Sequence, residues 1–194
     1  MKDFFKFSSS SLKMFLLAAL AGAAMNLASI AFLTKGGEQV AKVVVPAAHG
    51  GALSDYLENK LIDHVFRGQT YTAPSTIYVA LFTSACSDSA PGTEVSGGSY
   101  ARPGLAASLV NWAGTQAAAS TTASSGTSGT TSNNAAITFA TPSAGWGTVT
   151  HVGLMDSVTS GNLLVCTPLT TSKTINSGDA VAFPAASLTN QIDN

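Results

Sequence analysis

Three histidines, His49, His64 and His151, are the side chains best suited to proton transfer here, because imidazole titrates near neutral pH. Nucleophilic catalysis would need a serine or cysteine held against one of them, with an acid behind it. Serines abound, yet no Gly-x-Ser-x-Gly elbow joins a strand pattern to a helix pattern. His64 falls in a helix pattern, and His151 reads as a strand residue hydrogen-bonded at a sheet surface. Asp88, Glu94, Asp156 and Asp179 sit in or near turns. Acidic turns can hold calcium through oxygen ligands, but no EF-hand or repeat spacing is present, so turn capping is the expected role. Gly97-Gly98 precedes a strand rather than a helix and reads as a hairpin turn, not a phosphate cradle. The two cysteines can form one bridge. Cys166 lies in the apolar run Leu163-Leu164-Val165-Cys166 and reads as a small buried hydrophobe, while Cys86 lies in a polar turn, so the unpaired reading is favoured and sequence leaves their meeting open. Arg102 is expected to lay its stem over an aromatic ring, with an acid across a subunit interface as the other reading. Trp112 and Trp146 are expected in the core, although a tryptophan on a hydroxyl-rich surface could stack on a sugar. No catalytic, cofactor-binding or metal-binding residue emerges, and the chain reads as a structural or binding protein.

The elements that would position these residues are mostly strands. The spacing of Leu53, Tyr56, Leu57, Leu61, Val65 and Phe66 predicts one helix over residues 53–67. Ser54 or Asp55 can cap its start, Gly68 fits its stop, and its apolar stripe should lie on the β-domain. Strands are predicted at 76–83, 137–139, 148–155, 163–166, 180–183 and 187–192. Gly-, Ser-, Asn- and Asp-rich turns separate them. Residues 114–134 are uncharged and of low complexity, and should form a long exposed loop. The fold class is therefore mainly β: an antiparallel β-sandwich or barrel with one packed N-terminal helix (53–67), preceded by a hydrophobic helix (14–33).

That hydrophobic helix is the strongest local signal. MFLLAALAGAAMNLASIAFL, residues 14–33, carries no charge and, at about 1.5 Å per residue, would span a bilayer core of roughly 30 Å. It reads as a membrane anchor, as a signal peptide ending at the small residues 21–23, or as a helix buried in an assembly. For the last, Ala18, Gly22, Met25 and Ser29 recur three or four residues apart and would form a helix face open to close packing. Gly36-Gly37 ends the segment, residues 43–45 suggest a short extended piece, and 46–51 a flexible linker. Residues 1–50 are read as the anchor or assembly helix with its linker, and residues 51–194 as the β-domain.

Charged residues make up 10% of the chain, well below the common quarter, as though partners cover much of its surface. Five lysines against Asp3 and Glu38 make residues 1–50 net positive. Four bases against eight acids make 51–194 net negative, so the β-domain has no basic footprint for nucleic acid.

A succession of phrases carries a resemblance: LSDYLEN (53–59), DHVFRG (63–68), YTAP (71–74), YVALFT (78–83), GTEVSGGSYAR (92–102), WGTVTHVG (146–153) and LTTSKTINSGD (169–179). From Leu53 to Asp193 the chain resembles a family of small tailed-bacteriophage proteins commonly labelled tail-fibre proteins, whose relatives serve as virion surface components. The resemblance implies a virion structural role without a reaction or a cofactor, as capsid decoration (cement) or a short tail fibre. It implies phage capsid or tail proteins as partners, together with further copies of this chain, a trimer among the options. Met14–Leu33 leaves membrane contact open, and the competing reading is a membrane-anchored cell-surface adhesin or pilin-like subunit.

Overall fold

The computed structural model describes residues 52–192, together with three short upstream strands. The expected helix over 14–33, with Ala18, Gly22, Met25 and Ser29, lies outside the described residues, as do His49 and residues 45–51. The upstream strands are β1 (Thr34–Lys35), β2 (Glu38–Gln39) and β3 (Lys42–Val44). There follow β4 (Ala52–Leu53), α1 (Asp55–Phe66), β5 (Thr76–Phe82), β6 (Gly104–Ala106) and β7 (Thr130–Ser132). The chain ends with β8 (Ile137–Thr138), β9 (Gly147–Met155), β10 (Leu163–Ile175), β11 (Ala180–Phe183) and β12 (Thr189–Gln191).

The fold is mainly β with one described helix. A five-stranded antiparallel sheet runs in the order β4-β10-β9-β5-β6, a three-stranded sheet in the order β3-β11-β8, and β12-β7 and β1-β2 form two-stranded pairs. The expected extended piece near residues 43–45 is β3, which pairs parallel with β11, Lys42 opposite Ala180 and Val44 opposite Ala182. Both larger sheets send side chains into one core. Val79, Leu81, Val149 and Val152 come from the first sheet; Ile137, Val181 and Phe183 come from the second.

Strand β5 is apolar without alternation because both its faces are buried. Val79 and Leu81 enter the main core, whereas Ala80 and Phe82 join a second cluster with Met155 and Leu163. Gly153 belongs to that second layer: a Cβ there would come within 2.5 Å of the Phe82 ring, so the ring takes the space a side chain would need. Cys86 and Cys166 pack on the same cluster and form a disulfide with Cα atoms 6.2 Å apart, which corrects the unpaired expectation. The polar turn after β5 folds back over β10, and no local pattern announces that meeting.

Ser54 is the N-cap of α1, its Oγ accepting from Leu57 N–H at 3.2 Å and donating to the Leu163 carbonyl, while its own N–H donates to Leu164 O at 2.9 Å. The helix start is thus fastened to β10. Only the first part of its stripe lies on the β-domain as expected. Leu53, Tyr56 and Leu57 pack on the core and Leu61 is half-buried, but Val65 and Phe66 remain exposed, as does Ile62 outside the stripe. The anchorage is confined to the first turn. Gly68, at φ +67°, follows the C-cap residue Arg67 and supplies the left-handed residue that ends the helix.

Two further expectations change. Predicted strand 163–166 is the start of a 13-residue strand in which Pro168 still pairs opposite His151; a register shift between Pro168 and Lys173 absorbs the irregularity. The low-complexity stretch is not all loop. Thr130–Ser132 forms β7 against β12, and Asn133 is wholly buried. Residues 116–128 stay largely exposed but are organised by Gln116, whose Nε2 donates to Thr122 Oγ1 at 2.8 Å and whose Oε1 accepts from Ser125 N–H at 3.0 Å.

Candidate functional site

The residues with chemical potential are dispersed. His64 is exposed on α1 with Nδ1 3.1 Å from Gln69 O. His151 is half-buried on β9 with Nδ1 2.9 Å from Thr150 Oγ1, as its surface-strand reading anticipates, and loss of water lowers its pKa below the ordinary value. Three acids do cap turns. Asp88 Oδ1 accepts from Ser89 N–H at 2.8 Å, Asp179 Oδ2 from Asn176 N–H at 2.7 Å, and Asp156 from Asn162 N–H at 2.6 Å. Among the described residues no three of His, Cys, Asp and Glu gather as metal ligands would.

Glu94 and Arg102 behave otherwise than expected. Arg102 neither covers a ring nor faces outward. Its Nε and Nη2 each donate to one Glu94 oxygen at 2.6 Å, and Nη1 donates to the carbonyls of Ser157 and Ser160 at 2.8 Å. This fork binds the segment after β5 to the β9–β10 turn. Tyr100 extends the network, donating to Glu94 Oε1 and accepting from Leu81 N–H, both at 2.9 Å. Burial pushes its phenol well above the usual value. The Glu94 hydrogen bonds in turn raise the Arg102 pKa. Edge-on contact of Tyr100 with Trp146, at 5.2 Å, and a bond from Trp146 Nε1 to Gly98 O at 2.9 Å complete a structural cluster. Trp146 thus fills the core as expected.

Trp112 does not. It is half-buried and lines an apolar groove of about 720 Å³ together with Leu57, Ile77, Leu154, Leu164 and Val165. Rim residues Thr115, Ser124 and Gly129 come from the low-complexity stretch, and Leu109 and Ile192 stand exposed at the edge. No lining residue is charged.

Two polar side chains among its walls carry buried atoms without partners. Asn190 is 5% exposed, yet neither its Nδ2 nor its Oδ1 has a partner, and the buried Trp112 Nε1 also has none. Buried polar atoms are nearly always paired, since leaving one unmet costs about 1–3 kcal/mol.

Sequence reading missed Asn190. A signal existed in the predicted strand 187–192: alternation puts Leu188 and Asn190 on one face, and Leu188 is wholly buried. An asparagine at an inward position needs either a partner or a ligand.

Among the described residues, to which 14–33 do not belong, no helix is long and apolar enough to cross a membrane. No curated protein matches the chain. Residues 52–191, most of the chain and nearly all of the described fold, match the family described as podophage GP4 fiber I protein gp80, and the chain belongs to that phage fibre family as a structural component of the virion.

Proposed function

We propose that this chain is a fibre or capsid-decoration (cement) subunit at the particle surface that self-associates through residues 51–194, with residues 1–50 serving assembly. One observation carries the reading: large apolar side chains stand in water on a domain with few charges. Val65, Phe66, Val110 and Ile192 are 64%, 81%, 70% and 66% exposed. Ile192 lines the apolar groove, and Val110 follows the lining residue Leu109. Large apolar side chains left in water beside an apolar groove support a protein interface, and the fibre family supplies the setting in which other virion proteins and further copies are at hand.

Sedimentation velocity on the full chain tests self-association. A discrete oligomer is expected; a monomer throughout the micromolar range overturns it. Antibody labelling of intact particles by electron microscopy separates the locations, label on the head favouring decoration and label on the tail favouring a fibre.

A further inference from the structure

Two apolar features of the described fold stand in water, and their shapes are opposite. One is a projection: Ile62, Val65 and Phe66, near the end of α1, are 48%, 64% and 81% exposed. The other is a hollow: the groove of about 720 Å³ walled by Leu57, Ile77, Leu154 and Leu164, with Leu109 and Ile192 exposed at its edge. A single contact between them would take both surfaces out of water.

Their charges agree as well. A groove with no charged residue suits a partner that brings no unmet charge with it. The surroundings of Phe66 meet that condition. Asp63 and Arg67 pair with each other at 2.9 Å, and the ammonium of Lys60 lies 5.7 Å from the centre of the Tyr56 ring.

Helix geometry determines which copy supplies the projection. Phe66 lies about two and a half turns beyond Leu57, at roughly 3.6 residues per turn. It therefore points to the opposite side of α1 from the helix residue that lines the groove. Ser54 fastens the start of the helix to β10, so α1 cannot roll to bring Phe66 round. The groove of a copy is thus out of reach of its own Phe66 and open to that of a neighbour. We propose that the end of α1, with Phe66 as its knob, inserts into the groove of a neighbouring copy. Projection and groove are different patches of one chain, so the contact is head to tail and repeats from copy to copy. This contact rests on the self-association reading and gives it its surfaces.

Sedimentation equilibrium of the full-length chain and two variants tests it. Phe66→Ser should raise the Kd of self-association about tenfold to a hundredfold, as loss of a central aromatic anchor does, and Phe66→Leu should keep most of the affinity. Phe66 is exposed within its own copy, so both variants should match the parent in circular dichroism. Photo-crosslinking locates the contact. With p-benzoylphenylalanine in place of Leu109, irradiation should give a covalent dimer on a denaturing gel. Its tryptic digest should join the groove peptide to residues 61–67, the piece released between Lys60 and Arg67. An unchanged Kd for Phe66→Ser overturns the proposal. So do links to any other segment, residues 14–35 included, links confined to the monomer band, or no links. Each of these results in a chain that still forms an oligomer refutes the knob and groove and leaves self-association standing, whereas a parent that stays monomeric refutes both.

Discussion

Asn133 is the position where the low-complexity stretch should prove least dispensable. Its Nδ2 donates to Ala135 O at 2.8 Å and Pro184 O at 2.7 Å, and its Oδ1 accepts from Leu188 N–H at 2.9 Å. The residue is 0% exposed, as is Leu188. Asn133→Ala removes all three bonds. At about 1 kcal/mol each, with a further contribution from the stranded Leu188 N–H, the loss is about 3–4 kcal/mol. For a domain of this size that corresponds to a fall in Tm of roughly 10 °C. Thr127→Ala, six residues earlier in the same Ser/Thr/Gly run but exposed, should stay within about 0.5 kcal/mol of the parent. Urea and thermal denaturation followed by circular dichroism, with the disulfide intact throughout, give both values. If Asn133→Ala matched Thr127→Ala, the buried anchor would be wrong, and the stretch would be loop to its end.

The Arg102 fork should also carry stability: Arg102→Met leaves Glu94 with Tyr100 alone and should cost about 2–4 kcal/mol in urea, while adding Glu94→Gln should recover part of that loss; equal costs for single and double variants would argue against the pairing. Cys86→Ser with Cys166→Ser opens a loop of sequence separation 80 and should destabilise by about 2–5 kcal/mol, and a parent whose Tm did not respond to reduction would contradict the bridge. His151 has its pKa lowered by burial, so the unfolded chain binds more protons as pH falls below the ordinary histidine value. Its contribution is therefore complete above that value and is lost as pH drops toward the folded pKa. His151→Gln should flatten the decline in Tm between pH 7 and 5, and an unchanged slope would remove His151 as its source.

What the sequence made legible was local. β-Branched and aromatic runs marked β5, β9 and β11, and Ser54 marked the helix start, because capping depends on residues three apart. The fibre-family resemblance over 53–193 was legible too, and the family match over 52–191 bears it out. What escaped was long-range. Cys86 meets Cys166 only because a turn folds over β10. Arg102 finds Glu94 only because the segment between them reverses, and Pro168 hid the length of β10 by resembling a break. β7 escaped because Thr-Thr-Ser has no apolar alternation; backbone pairing with β12 holds it in place. The groove was illegible as a site because its walls come from α1, β5, β7, β9, β10 and β12, and each apolar wall residue by itself reads as ordinary core.

Mass spectrometry of gradient-purified, high-salt-washed infectious particles tests the central claim most directly. The chain should be present at a fixed ratio to the major capsid protein across preparations. Its absence from infectious particles, with the protein recovered instead in the host membrane fraction, would contradict its place in the virion.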